Sequence, residues 1–157
     1  MLKKKVKLDR ESMELMSLFN SITEAIVKDC VIFKLPENNT EVIIFLVKKQ
    51  DVGKAIGKAG ENVKSLISRL QKKIDIIPYS EDLNEFIQNI LNTTKDPIKV
   101  QNIEIKENKN GKKTVIISVN PQDRGKAIGK DGSMIKKVKE LVLRHFKVDN
   151  VIINTKN

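Results

Sequence analysis

The sequence predicts an α+β protein made of two tandem copies of one small unit, each a three-stranded sheet packed by helices. Three observations carry that expectation. The octapeptide GKAIGKAG at 53–60 returns as GKAIGKDG at 125–132, identical at seven of eight positions and displaced by 72 residues. The same displacement lays TEVIIFLVKKQDVGKAIGKAG over KKTVIISVNPQDRGKAIGKDG, so that Gln50-Asp51 meets Gln122-Asp123. Hydrophobic periodicity also switches between helix and strand spacing in the same order in both halves. A repeat this long marks a duplicated domain rather than a short-repeat solenoid. The units are expected at 1–80, beginning with an N-terminal helix, and at 81–157.

In the first unit Leu15, Leu18, Phe19, Ile22 and Ile26 recur at helical spacing, with Asp9 placed as N-cap. VKDCVIFKL and EVIIFLVKK are short β-branched runs separated by PENNT, which reads as a hairpin with an Asn-rich turn. A short helix is expected over about 50–56. A clearer one follows Gly60, with Val63, Leu66, Ile67 and Leu70 on one face, and KIDIIPY reads as the third strand.

The second unit repeats the order. Leu83, Phe86, Ile87, Ile90 and Leu91 define a helix that Ser80 is placed to cap, so the junction between units is short and a nearly rigid tandem is expected. IKVQNIEIKE and KKTVIISVN pair around Asn110-Gly111, a favoured tight-turn dipeptide. Pro121 suits the first turn of a short helix, where its missing N–H sacrifices no bond. Beyond Gly132, Ile135, Val138 and Val142 take the places of Val63, Leu66 and Leu70, Lys139 replaces Ile67, and VDNVIIN closes the unit as a strand.

Composition narrows the partners. The 157 residues are 39% hydrophobic, enough for compact cores, and carry 30 Lys+Arg against 20 Asp+Glu, a net charge of +10. The surplus is local: windows 48–73 and 124–147 each hold eight basic and two acidic residues, which leaves the rest of the chain slightly acidic. Cationic charge gathered at a repeated motif points to an anionic ligand. One cysteine, Cys30, and one histidine, His145, provide neither a disulfide nor a zinc set. The N-terminus lacks the apolar stretch of a signal peptide and no run spans a membrane, so a cytoplasmic protein with no membrane partner is expected.

The candidate site is Ile-Gly-x-x-Gly, written as Ile56, Gly57, Lys58, Ala59, Gly60 and again as Ile128, Gly129, Lys130, Asp131, Gly132. Glycines let a ligand backbone approach, and the amides opening the next helix favour a phosphate. Lys58 and Lys130 add charge at the loop, Lys64 and Lys136 stand one turn on, and Lys54, Arg69, Lys126 and Lys137 are supporting cations. One such loop reads most simply as a tight interhelical turn; its duplication in the same structural order favours a ligand site. A nucleotide-binding P-loop fits poorly, because each copy is one residue short between glycines and lacks the magnesium-binding Ser/Thr.

These residues resemble the KH RNA-binding fold, whose GxxG loop clamps about four nucleotides of backbone. The helix-first order is similar to its type II arrangement, so the resemblance implies two tandem type II KH domains. In that family the bases lie in a largely aliphatic groove beside the loop, which accommodates a chain with five Phe, one Tyr and no Trp. The whole chain further resembles the archaeal NusA family through VKLD, VKDCVIF, both QD-x-GKAIGK segments, YSED and RHFKVDNVII. That resemblance implies binding of single-stranded RNA and a role in transcription termination or antitermination, with the RNA polymerase elongation complex as candidate partner. The polymerase-binding N-terminal domain and S1 domain of bacterial NusA find no room in 157 residues, so a direct polymerase contact does not carry over.

Asp131 departs from the first loop by setting a carboxylate beside the expected phosphate, which predicts a weaker second clamp. No cofactor, metal site or catalytic residue is expected: Cys30 reads as a small core residue and His145 as a packing or capping residue at a helix end. The lysines at 3, 4, 5 and 7 read as a solvated run in preference to an RNA contact. Two rival functions stay open, a ribosome-associated or RNA-processing tandem-KH protein and a phosphate-dependent enzyme.

Overall fold

The structure, a computed structural model, describes residues 2–94 and 96–155; Met1, Lys95, Lys156 and Asn157, which fall within the expected units, lie outside the described residues. Contacts separate Lys7–Ser80 from the rest of the chain. The described residues ahead of Lys7 group with those from Glu81 onward. The reason is a short strap. Lys3 pairs antiparallel with Phe146, Lys4 N–H donates to the His145 carbonyl at 2.9 Å, and Lys147 N–H donates to the Leu2 carbonyl at 2.6 Å.

In the unit formed by Lys7–Ser80, α1 spans Arg10–Thr23 and Asp9 caps it, its carboxylate accepting from Ser12 N–H at 2.7 Å. The helix stops earlier than its apolar spacing suggested. Glu24 turns left-handed at φ 60° and donates to the Asn20 carbonyl, so Ile26 falls beyond the helix and is 46% exposed. Strands β1 (Val27–Lys34) and β2 (Glu41–Val47) form the antiparallel hairpin, from Lys34 opposite Glu41 to Val27 opposite Val47. A 3-10 turn at Lys49–Asp51 leads into α2 (Val52–Ile56), and α3 (Glu61–Leu70) returns the chain to β3 (Lys73–Pro78), parallel to β2.

One side of this sheet meets the helices. Ile43, Phe45 and Val47 alternate along β2 and pack with Phe19 of α1, Ala55 of α2 and Leu66 of α3. The Phe19 and Phe45 rings stack at 4.3 Å between centroids. Cys30, opposite Phe45 in the hairpin, is fully buried in the same cluster and acts as a small core residue. Truncating Phe45 to Ala would cost about 3–5 kcal/mol at such a site.

The other unit follows the same plan with α4 (Leu83–Leu91), β4 (Val100–Glu107), β5 (Lys113–Val119), α5 (Arg124–Ile128), α6 (Ser133–His145) and β6 (Asn150–Thr155). Strand β5 is again central, antiparallel to β4 and parallel to β6. Pro121 opens the 3-10 turn Pro121–Asp123 before α5, the place its ring favours. The cap of α4 is a correction: Asp82, not Ser80, accepts from a first-turn amide, that of Glu85 at 2.9 Å. Phe86 packs against His145 and Phe146 with ring centroids 5.6 and 5.7 Å away, so buried His145 is part of the core. Each unit is thus helix, strand, strand, helix, helix, strand, the arrangement expected of a type II KH domain.

Candidate nucleic-acid interface

The two GxxG loops are built alike. Gly57 and Gly129 both have φ 80°, with ψ 169° and 172°; Ala59 and Asp131 are left-handed at φ 55° and 52°; Gly60 and Gly132 follow at φ 73° and 76°. Each loop closes on itself, Gly60 N–H donating to the Gly57 carbonyl and Gly132 N–H to that of Gly129, both at 3.1 Å. The first glycine is required sterically as well as conformationally. A Cβ on Gly57 would lie 2.9 Å from the Asn62 side chain and 3.0 Å from its backbone nitrogen, and one on Gly129 only 2.6 Å from the Met134 nitrogen.

The helices entered from these loops differ from those that begin the units. Asp9 and Asp82 satisfy first-turn amides of α1 and α4, whereas α3 and α6 follow left-handed Gly60 and Gly132 with no side-chain cap. The positive ends of two helix dipoles therefore lie at the loops without a covering side-chain oxygen, the first amides, of Glu61 and Ser133, donating to the Lys58 and Lys130 carbonyls. The helical-then-left-handed backbone at Lys58–Ala59 and Lys130–Asp131 adds a concavity of the kind that accepts anions. The chemistry on offer is phosphate binding by backbone donors with lysine charge nearby.

Side-chain placement separates the expected site residues. Lys54, Lys58, Lys64 and Arg69 in the first unit, and Lys126, Lys130 and Lys136 in the second, are exposed. Lys126 also stands 3.8 Å from Asp123, which holds part of its charge locally. Lys137 does not join the exposed set: half-buried, it donates to Thr93 Oγ1 at 3.3 Å, beside the end of α4. Ile56 is 40% exposed and Ile128 half-buried, so the aliphatic position before each loop presents more surface in the first unit. Asp131 is exposed on its loop, as Ala59 is on the other.

Two features escaped the sequence reading. Asn62 reaches back to donate to the Lys54 carbonyl at 2.9 Å, tying α3 to the end of α2, while Met134 at the matching place has no amide to do so. Of the N-terminal lysines, Lys5 and Lys7 are exposed, while Lys3 and Lys4 are tied to the end of a helix. Lys4 Nζ donates to the Leu143 carbonyl at 3.1 Å, near the C-terminus of α6, and Lys3 lies 5.9 Å from the Phe146 ring centroid. Only pairing between distant segments places them there. Among the described residues, no group of three or more His, Cys, Asp or Glu is arranged to hold a metal ion, and no helix is long and apolar enough to cross a membrane.

Comparison with known families places this pair of loops. Residues 3–79 match the NusA-like first KH domain and residues 83–156 the NusA-like second KH domain. The chain belongs to the NusA family. Its curated relatives include the probable transcription termination protein NusA of Methanocaldococcus jannaschii, 35% identical over 98% of this chain and 78% of that one. The protein of the same name from Methanococcus vannielii is 37% identical over 94% of this chain and 79% of that one. Among solved structures, the crystal structure of APE1850 superposes with a TM-score of 0.80 at 34% identity, covering 94% of this chain and all of that one. The match runs through both units, so the NusA-like order of first and second KH domains is the order of the two loops described above.

Proposed function

We propose that this NusA family member is a noncatalytic, single-stranded RNA-binding factor of transcription termination or antitermination. Each GxxG loop fixes the phosphate path through backbone amides and Lys58 or Lys130, and the neighbouring aliphatic and polar side chains sense the bases. The observation that carries this reading is the reuse of one loop conformation, opening onto a helix start without a side-chain cap, where the chain's positive charge is densest. The names of the curated relatives support the transcription role. Because the chain passes between its two units at Val6–Lys7 and again at Ser80–Glu81, engagement of one loop raises the effective concentration for the other. The elongating RNA polymerase complex is the proposed setting, reached through nascent RNA.

Affinity purification from growing cells tests the setting. Co-purification with elongating polymerase in an RNase-sensitive manner is expected. Recovery with ribosomal subunits instead would replace this assignment by a ribosome-associated role, and turnover of a nucleotide by the purified chain would restore the enzymatic alternative.

A further inference from the structure

At the end of α3 away from its GxxG loop, the unit formed by Lys7–Ser80 opens into a basin of about 880 Å³ between that helix, the start of β3 and the β1–β2 turn. We propose that this basin is a second RNA contact, taking the sugar-phosphate backbone and one base of the strand beyond the nucleotides clamped at Gly57–Gly60, in this unit and not in its duplicate. The inference rests on the RNA-binding reading above.

Its position is set by α3, whose ten residues run from loop to basin, a path of roughly 15 Å at the α-helical rise. A strand leaving the loop along this helix arrives at the basin. Three lysines line it, Lys34, Lys72 and Lys73, against the single carboxylate of Glu41. Glu41 is already held by Lys72 at 2.9 Å, so the surplus is two positive charges. Between them is apolar surface suited to the face of a base: Ile67 is 42% exposed although its neighbour Leu66 is fully buried, and Ile74 is half-buried on β3. Asn39, Thr40 and Gln71 add amide and hydroxyl groups able to bond base edges.

The duplicate is built differently at the corresponding place. Its helix α6 has 13 residues, and Asp149, just ahead of β6, is stitched to the turn end of the β4–β5 hairpin. Asp149 N–H donates to the Lys113 carbonyl and its Oδ2 accepts from Lys113 N–H, both at 2.8 Å, with Lys112 Nζ 3.9 Å from Oδ1. At the displacement of 72, Ile67 becomes Lys139 and Glu41 becomes Lys113, so the apolar wall is not repeated and the ion pair recurs only with its charges exchanged, as Lys112 with Asp149.

The test uses the full chain carrying Lys130→Asp, which weakens the second loop, and NMR titration with single-stranded RNAs of about four and about eight nucleotides, the first matching one clamp. The parent should bind the longer RNA on the order of tenfold more tightly at low salt. Lys34→Gln with Lys73→Gln should remove that gain, make the salt slope shallower by about 1.4 for two phosphates no longer neutralised, and leave the shorter RNA unaffected. Ile67→Ser should reduce the gain without changing the slope. A double variant that keeps the gain, or loses equal affinity for both lengths, overturns the basin contact while loop binding stands. If Lys58→Asp leaves both lengths bound as before, or the parent binds neither RNA, the loop reading fails and the basin proposal falls with it.

Discussion

Residues 57–60 and 129–132 share one backbone but not one set of neighbours. Behind Gly57 stands Asn62, whose amide bonds the Lys54 carbonyl; behind Gly129 stand Met134 and Ser133, with the Met134 backbone nitrogen close enough to exclude any Cβ. The left-handed position between the glycines holds Ala59 in one loop and Asp131 in the other. The loop's shape therefore follows from its two glycines and the helix behind them, while the third position is free to vary in charge. Shape is the duplicated property and electrostatics the diverged one.

The largest effects should come from the steric requirement. Gly129→Ala should destabilise its unit by about 3 kcal/mol and Gly57→Ala by about 2 kcal/mol, because part of the clash at Gly57 is with a side chain that can move. Gly53→Ala and Gly125→Ala, with open space around them, should cost nothing and serve as controls in urea denaturation. Equal tolerance of all four substitutions would break the claim that the loops are conformationally enforced.

Next in size is the relief of left-handed strain. Ala59→Gly should stabilise by about 0.5–1 kcal/mol and Asp131→Gly by less, since aspartate tolerates that region better than alanine. Exchange of the same residues should invert the ranking of the two clamps. Asp131→Ala should tighten single-stranded RNA binding about threefold at low salt and Ala59→Asp weaken it about threefold, both effects fading as salt screens the carboxylate. Unchanged affinity in both would remove the predicted asymmetry.

The smallest effect concerns Glu41, whose carboxyl is held below its ordinary range by the hydrogen bond from Lys72 and then by that residue's charge. A carboxylate with a lowered folded-state pKa adds stability that is present above the unfolded value and lost as pH falls through the folded one. Thermal melts should therefore show Glu41→Gln slightly less stable than wild type at neutral pH, with the difference shrinking in acid as the carboxylate takes up its proton below the ordinary carboxylate range. A difference that persists in acid would assign the effect to packing.

Much of this architecture was legible because its signals are local. Asp9 caps α1, Pro121 opens its turn, and the hairpin around Asn110-Gly111 forms where the dipeptide sits. What was not legible depends on residues far apart in sequence. Ser80 and Asp82 are both good caps, and the chain path into α4 selects Asp82. Lys137 has the spacing of a surface lysine but meets Thr93 at the end of α4. The strap of Lys3 and Lys4 on the end of α6 joins residues at least 139 positions apart, beyond any window of periodicity. At the candidate site the glycines and lysines could be read directly, whereas Asn62, the outward Ile67 and the uncapped helix starts required the fold.

The central claim, that both loops hold RNA phosphates, is tested most directly by fluorescence anisotropy of a labelled single-stranded RNA of roughly 12 nucleotides, long enough for two clamps, across a salt series. Wild type should prefer it to duplex RNA. Folded Lys58→Asp and Lys130→Asp variants should each bind more weakly, with a salt slope shallower by about 0.7 for each phosphate no longer neutralised. Equal affinity and equal slope for wild type and both folded variants would contradict the account and leave the duplicated loops as interhelical turns.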